Sequence, residues 1–139
     1  METTDEARAT PTQMQRQHVF VVNGAPDFLD LMRVLLQEER YNVTTTNFVP
    51  QTFEQVVATA PSLLIVDLAY GEGAGWALLA ELRRGATTAA IPVIVVSTTP
   101  QLLEQAKAEH AAGDEDCYLL KPFDIDELLG MVERLIGAA

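Results

Sequence analysis

The chain has 139 residues, 48% of them hydrophobic, with 9 Lys and Arg against 20 Asp and Glu, for a net charge of −11. That length suits one domain with a buried core, the apolar share excludes a disordered chain, and the acidic balance argues against direct binding of nucleic acid or of anionic membrane surfaces. The single cysteine, Cys117, excludes an internal disulfide framework and a multi-cysteine metal site, and no apolar run approaches the roughly 18 residues of a membrane helix.

Residues 1–16 read as a loose polar tail without periodicity or an apolar signal-peptide core, so a cytoplasmic protein is expected, with one domain over 17–139. His18-Val19-Phe20-Val21-Val22 reads as a first buried strand, stopped by the turn dipeptide Asn23-Gly24. Pro26 suits a first helical turn and Asp27 complements its dipole. Phe28, Leu31, Met32, Leu35 and Leu36 then follow one helical stripe. Tyr41 to Thr46 is β-rich and reads as a more exposed second strand. A helix is expected from about Pro50 to Thr59, with Phe53, Val56 and Val57 inward.

Pro61-Ser62-Leu63-Leu64-Ile65-Val66-Asp67 carries an uninterrupted apolar run that ends in a carboxylate, the mark of a strand buried on both faces of a parallel sheet. The loop Leu68 to Gly75 holds three glycines. Trp76 to Arg84 reads as a helix with Leu78, Leu79 and Leu82 inward and Gly85 as its stop. Ile91 to Ser97 is another buried strand, Gln101 to His110 an alanine-rich helix, and Cys117 to Leu120 a fifth strand ending at Lys121-Pro122. Asp124 sits at the N-cap of the clearest amphipathic helix, with Ile125, Leu128, Leu129, Val132, Leu135 and Ile136 on one stripe. Strand and helix alternate five times. The expected fold is a flavodoxin-like, doubly wound α/β domain of five parallel strands in order 2-1-3-4-5 with five helices.

The carboxyl ends of such strands lie side by side, and here they bring Asn23, Asp67, Ser97 and Lys121 to one cleft. A carboxylate that can act as nucleophile, with a hydroxyl and an ammonium to bind transferred oxygens, is a phosphoryl-accepting set. It still requires a divalent cation held by carboxylates. Each residue also has a plainer reading. Asp67 can cap a turn, Ser97 can simply end a strand, Tyr118 can be packing, and Lys121 can be a surface lysine. His18 and His110 read as structural, Cys117 as a buried thiol, and Trp76 as packing on the third helix, close enough to the cleft to serve as a probe.

At these residues the chain resembles the receiver domain of two-component response regulators, over about Val19 to Ile136. The resemblance rests on Asp67 ending the third strand, Gly75 eight residues later, Pro92 opening the fourth strand, Ser97 ending it, and Tyr118-Leu119-Leu120-Lys121-Pro122-Phe123. It implies that Asp67 is the phosphoacceptor, Ser97 the switch hydroxyl that also contacts phosphate, Tyr118 the aromatic switch and Lys121 the phosphate-binding cation. It also implies Mg²⁺ held by Asp67 and the Ala69 backbone carbonyl, a cis Lys121-Pro122 peptide, and a histidine kinase or phosphotransfer protein as partner.

Receivers place two acidic residues after the first strand to hold the metal; here Asn23 and Gly24 stand there. Asn23 keeps an oxygen without its charge and Gly24 offers no side chain, so Mg²⁺ binding is expected to be weak or absent. Asp27 and Glu72 are the nearby carboxylates, each equally explained by helix dipole or solvent. Gly71 replaces a customary proline, Thr98 adds bulk beside the switch hydroxyl, and Lys121 can pair directly with Asp67. The expectation is a single-domain, non-enzymatic regulator that docks a downstream protein through residues 100–136, with a homodimer as a further option. The alternative is a working aspartate phosphoreceiver with a rearranged metal site. A flavin-binding electron carrier of the same topology is disfavoured, because residues 23–27 hold no Ser or Thr.

Overall fold

The computed structural model describes residues 17–47, 51–68, 73–110 and 117–137. The expectations for the tail 1–16, Ala69, Gly71 and Glu72 lie outside the described residues. Strands and helices alternate in the order β1 His18–Val22, α1 Pro26–Glu38, β2 Asn42–Thr46, α2 Thr52–Thr59, β3 Leu63–Asp67, α3 Ala74–Arg84, β4 Val93–Ser97, α4 Pro100–His110, β5 Cys117–Leu120 and α5 Ile125–Ile136. All strand pairs are parallel and the sheet order is β2-β1-β3-β4-β5. This is the doubly wound arrangement that the alternation implies.

The continuous apolar runs are explained by two core layers. On one face of the sheet, Phe20, Val22, Leu64, Val66, Val93 and Val95 meet Val56 of α2, Leu78, Leu79 and Leu82 of α3, and Leu102, Leu103 and Ala106 of α4. On the other, Val19, Val21, Leu63, Ile65, Ile94, Val96 and Leu119 meet Met32 and Leu36 of α1 and Leu128 and Val132 of α5. Each fully buried aliphatic side chain contributes about 1.5–3 kcal/mol relative to exposure. Cys117 is buried within the second layer and accepts a hydrogen bond from Arg134 Nη2 at 2.8 Å. Strand β2 stays half-buried along its length, as an edge strand should.

Two helical stripes differ from the sequence expectation. Leu31 is 48% exposed and Val57 is 44% exposed, although both share an apolar periodicity with their neighbours. In α2 the buried residues are Thr52 and Val56, one turn apart, which rotates the inward face away from Val57. In α1 they are Met32 and Leu36, which leaves Leu31 on the flank. The short α2 begins at Thr52, after the Pro50 at which the sequence suggested a start.

Candidate functional site

Parallel register brings the strand ends together. Val22 pairs with Val66, so Asn23 follows beside Asp67; Asp67 pairs with Val96, and Ser97 with Leu120. The ladder runs one residue beyond each tip: Asn23 N–H donates to Thr46 O at 3.2 Å, Leu68 N–H to Val96 O at 2.8 Å and Lys121 N–H to Ser97 O at 2.8 Å. Side chains alternate across a strand. Asn23, Asp67 and Lys121, each two residues past a member of the α1/α5 layer, therefore project to that face. Ser97 and Tyr118 belong to the α4 face.

Lys121 Nζ lies 2.6 Å from Asp67 Oδ1, with the two side chains 22% and 13% exposed. The same ammonium stands 4.7 Å from the centroid of the Phe28 ring, and Phe28 meets Phe123 edge-to-face at 6.3 Å. A cation over an aromatic face and against a carboxylate is held on two sides. Phe28 as a wall of the cleft was not singled out by sequence reasoning, which used it only as a core position of α1. Its place in the first turn of a helix that starts at a strand tip is the signal that could have found it. The Lys121-Pro122 peptide is cis.

Gly75 fixes the approach of α3 to the tip of β3. A Cβ there would stand 2.7 Å from Leu68 Cδ2 and 2.8 Å from the Asp67 carbonyl oxygen, closer than packing permits. Ser97 is fully buried; its hydroxyl donates to Leu68 O at 2.7 Å and accepts from Thr99 N–H at 3.1 Å. Tyr118 is half-buried, with Lys107 Nζ 5.4 Å from its ring centroid. Thr98 is exposed. Trp76 packs with the Phe20–Val22 layer, on the sheet face opposite Asp67 and Lys121, which makes it a less direct probe than its sequence position suggests.

Asn23 is 2% exposed. Its Oδ1 accepts from Ala25 N–H at 2.8 Å, and an N–H can only meet the oxygen end of the amide, so the orientation is settled. Nδ2 is then left buried without a hydrogen-bond partner among the described residues. A divalent cation such as Mg²⁺ takes oxygen ligands only, usually with one or two carboxylates among them. The described residues do not fit it: Asn23 presents a donor, Gly24 has no side chain, Asp67 is engaged by Lys121, and Asp27 is exposed on the first turn of α1. Among the described residues no group of three His, Cys, Asp or Glu could hold a metal ion.

A family model described as the response regulator receiver domain matches residues 19–133. The chain is 27% identical over 118 residues to the DNA-binding dual master transcriptional regulator RpaA of Synechocystis sp., covering 85% of this chain and 48% of that protein. It is 30% identical over 120 residues to the transcriptional regulatory protein KdpE of Staphylococcus aureus, covering 84% and 50%. The chain thus spans about half the length of these curated relatives. In fold it is similar to the chemotaxis protein CheY4 of Vibrio cholerae, with a TM-score of 0.73 at 20% identity over 86% of this chain and 98% of that one.

Proposed function

Because the chain belongs to the response regulator receiver domain family, whose members serve two-component signalling, we propose that it is an atypical receiver in which Mg²⁺-dependent phosphorylation of Asp67 is weak or absent. The observation that carries this is the Asn23 amide, which turns a buried, unpartnered donor into the place where a receiver needs a charged oxygen. Receiver domains use Mg²⁺ to screen the charge between the attacking carboxylate and the phosphoryl group. Without that ion, the Asp67 carboxylate stays in its ion pair with Lys121.

The residue roles follow the family pattern. Asp67 is the phosphoacceptor, its Oδ forming the bond to phosphorus as the donor's leaving group departs with its electron pair. Lys121 binds the transferred oxygens. Ser97, now bonded to Leu68 O, would have to release that carbonyl to reach a phosphoryl oxygen, with Tyr118 following on the same face. By the same pattern the neutral oxygens left for a metal are the Ala69 carbonyl and, only where the amide releases Ala25 N–H, Asn23 Oδ1. Signalling then runs through docking of a protein partner, or a second copy, on the face of α4, β5 and α5. There β5 is an edge strand and Leu120 is 44% exposed. A histidine kinase or phosphotransfer protein is the upstream partner, the setting is cytoplasmic, and the domain is a signalling module rather than an enzyme.

The second reading, a working phosphoreceiver with a weakened metal site, is favoured by one observation: Asp67 and Lys121 are already in contact and partly open to solvent. Exposing freshly purified protein to acetyl phosphate and Mg²⁺, with intact-mass readout, separates the two. The atypical reading predicts a small phosphorylated fraction, raised by Asn23→Asp with Gly24→Asp. Stoichiometric phosphorylation of the wild type, absent in Asp67→Ala, would establish the second reading.

A further inference from the structure

We propose that Asn23 is a site of spontaneous deamidation, and that the reaction converts the encoded amide into a second carboxylate of the cleft. The consequence for the cleft rests on the reading above that position 23 as encoded lacks a charged oxygen. Asn followed by Gly is the dipeptide in which the next backbone nitrogen reaches the side-chain carbonyl with least hindrance, because glycine has no Cβ and a freer backbone.

Three features of the structure favour that attack. The bond from Ala25 N–H to Asn23 Oδ1, 2.8 Å, folds the side chain back along the Gly24 peptide and polarises the Cγ carbonyl as the electrophile. Gly24 is exposed, and a Cβ built on it would meet nothing within 4 Å, so the residue that supplies the nucleophilic nitrogen is not packed in place by neighbours beyond its own segment. The leaving group, Nδ2, has no hydrogen bond among the described residues to retain it, although the residue is only 2% exposed.

The reaction needs only water. Gly24 N bonds to Asn23 Cγ and gives its proton to solvent; the Cγ–Nδ2 bond breaks and the nitrogen departs as ammonia, leaving a five-membered succinimide. Water adding at Cγ breaks the new Cγ–N bond and leaves Asp at position 23. Water adding at the main-chain carbonyl carbon of residue 23 breaks the original peptide bond and leaves an isoaspartyl linkage. The Asp product sets a carboxylate beside Asp67, one residue past the Val22–Val66 pair. Two like charges there are unfavourable alone and favourable around a divalent cation. The modified cleft therefore competes with Lys121 for Asp67 and gains affinity for Mg²⁺.

The test holds the full chain, folded and urea-unfolded, at neutral pH and maps position 23 by peptide mass spectrometry over time. Mg²⁺ affinity is measured by calorimetry on fresh protein, aged protein and Asn23→Asp. The expected result is Asp and isoaspartate at position 23 in the folded wild type, formed measurably more slowly in Gly24→Ala, whose Cβ hinders the approach of the nitrogen. That variant fits the open space at 24, where the backbone is not left-handed. The Asp-containing aged protein is expected to bind Mg²⁺ as Asn23→Asp does. Retention of the amide in the folded chain while the unfolded chain converts, or conversion unchanged by Gly24→Ala, would overturn the modification. Failure of the Asp form to gain Mg²⁺ would overturn its consequence. Tight Mg²⁺ binding by fresh, fully amidated protein would instead overturn the functional reading, and the mass map would still decide whether Asn23 is modified.

Discussion

The cleft is governed by two side chains whose partners differ from those a metal-dependent phosphoacceptor requires. Lys121 and Asp67 form a mostly buried ion pair, and removing one member strands the other charge. Lys121→Met should therefore destabilise the fold, by less than the roughly 3–5 kcal/mol of a fully buried pair because both side chains keep some contact with solvent, and Asp67→Asn should recover part of that loss when combined with it. A double-mutant cycle by urea unfolding measures the coupling; strictly additive losses would mean that the pair contributes nothing. This contact was legible in the sequence, because both residues stand at the carboxyl ends of predicted strands. The orientation of the Asn23 amide was not. It depends on Ala25 N–H turning back at the start of α1, a detail of backbone geometry that no spacing encodes. Phe28 escaped for a similar reason: a residue on an apolar stripe can also wall a cleft.

At the scale of elements, the join between β3 and α3 is the tightest point near the site. Gly75→Ala would drive a methyl group into Leu68 and the Asp67 carbonyl, and should cost about 1–3 kcal/mol as an overpacking change. Denaturant unfolding checks the cost, and an unchanged midpoint would show that α3 can shift freely. The β1–β2 pair carries a pH dependence of its own. His18 Nε2 lies 2.7 Å from Thr44 Oγ1, and burial pushes the His18 pKa below its ordinary 6.5. The folded state then resists protonation more than the unfolded chain does. This contribution is complete above pH 6.5 and is lost as pH falls through the lowered value. His18→Gln should flatten the decline in stability just below pH 6.5, measured by urea midpoints across that range; an unaltered slope would assign the decline to other groups. Nearly every element was legible from hydrophobic runs and periodicity, with β1 and β5 matching residue for residue. The misplaced faces, at Leu31 and Val57, arise because a stripe of three to five apolar residues leaves the helix rotation undetermined by tens of degrees. Packing against the sheet decides it, in favour of Met32 with Leu36 and of Thr52 with Val56.

For the molecule as a whole, five parallel strands between two helical layers have their carboxyl ends along one edge, and topology alone brings Asn23, Asp67, Ser97 and Lys121 to it. The net charge of −11 bears on partners rather than on fold. RpaA is a DNA-binding regulator of which this chain covers 48%. This domain should give no retardation of duplex DNA at near-physiological salt in a gel-shift assay, and salt-sensitive retardation would contradict the charge argument. No helix among the described residues is long and apolar enough to cross a membrane. The central claim is that the receiver fold is kept while the encoded cleft lacks the charge needed to assemble a metal–phosphoryl complex. Fluorine-19 NMR of beryllofluoride with Mg²⁺ on freshly purified protein tests it most directly, since it reads the cleft itself rather than Trp76 in the other core layer. The account predicts no bound fluoride resonances for the wild type and their appearance in Asn23→Asp with Gly24→Asp. Saturable bound resonances in the wild type at millimolar Mg²⁺, lost in Asp67→Asn, would contradict it.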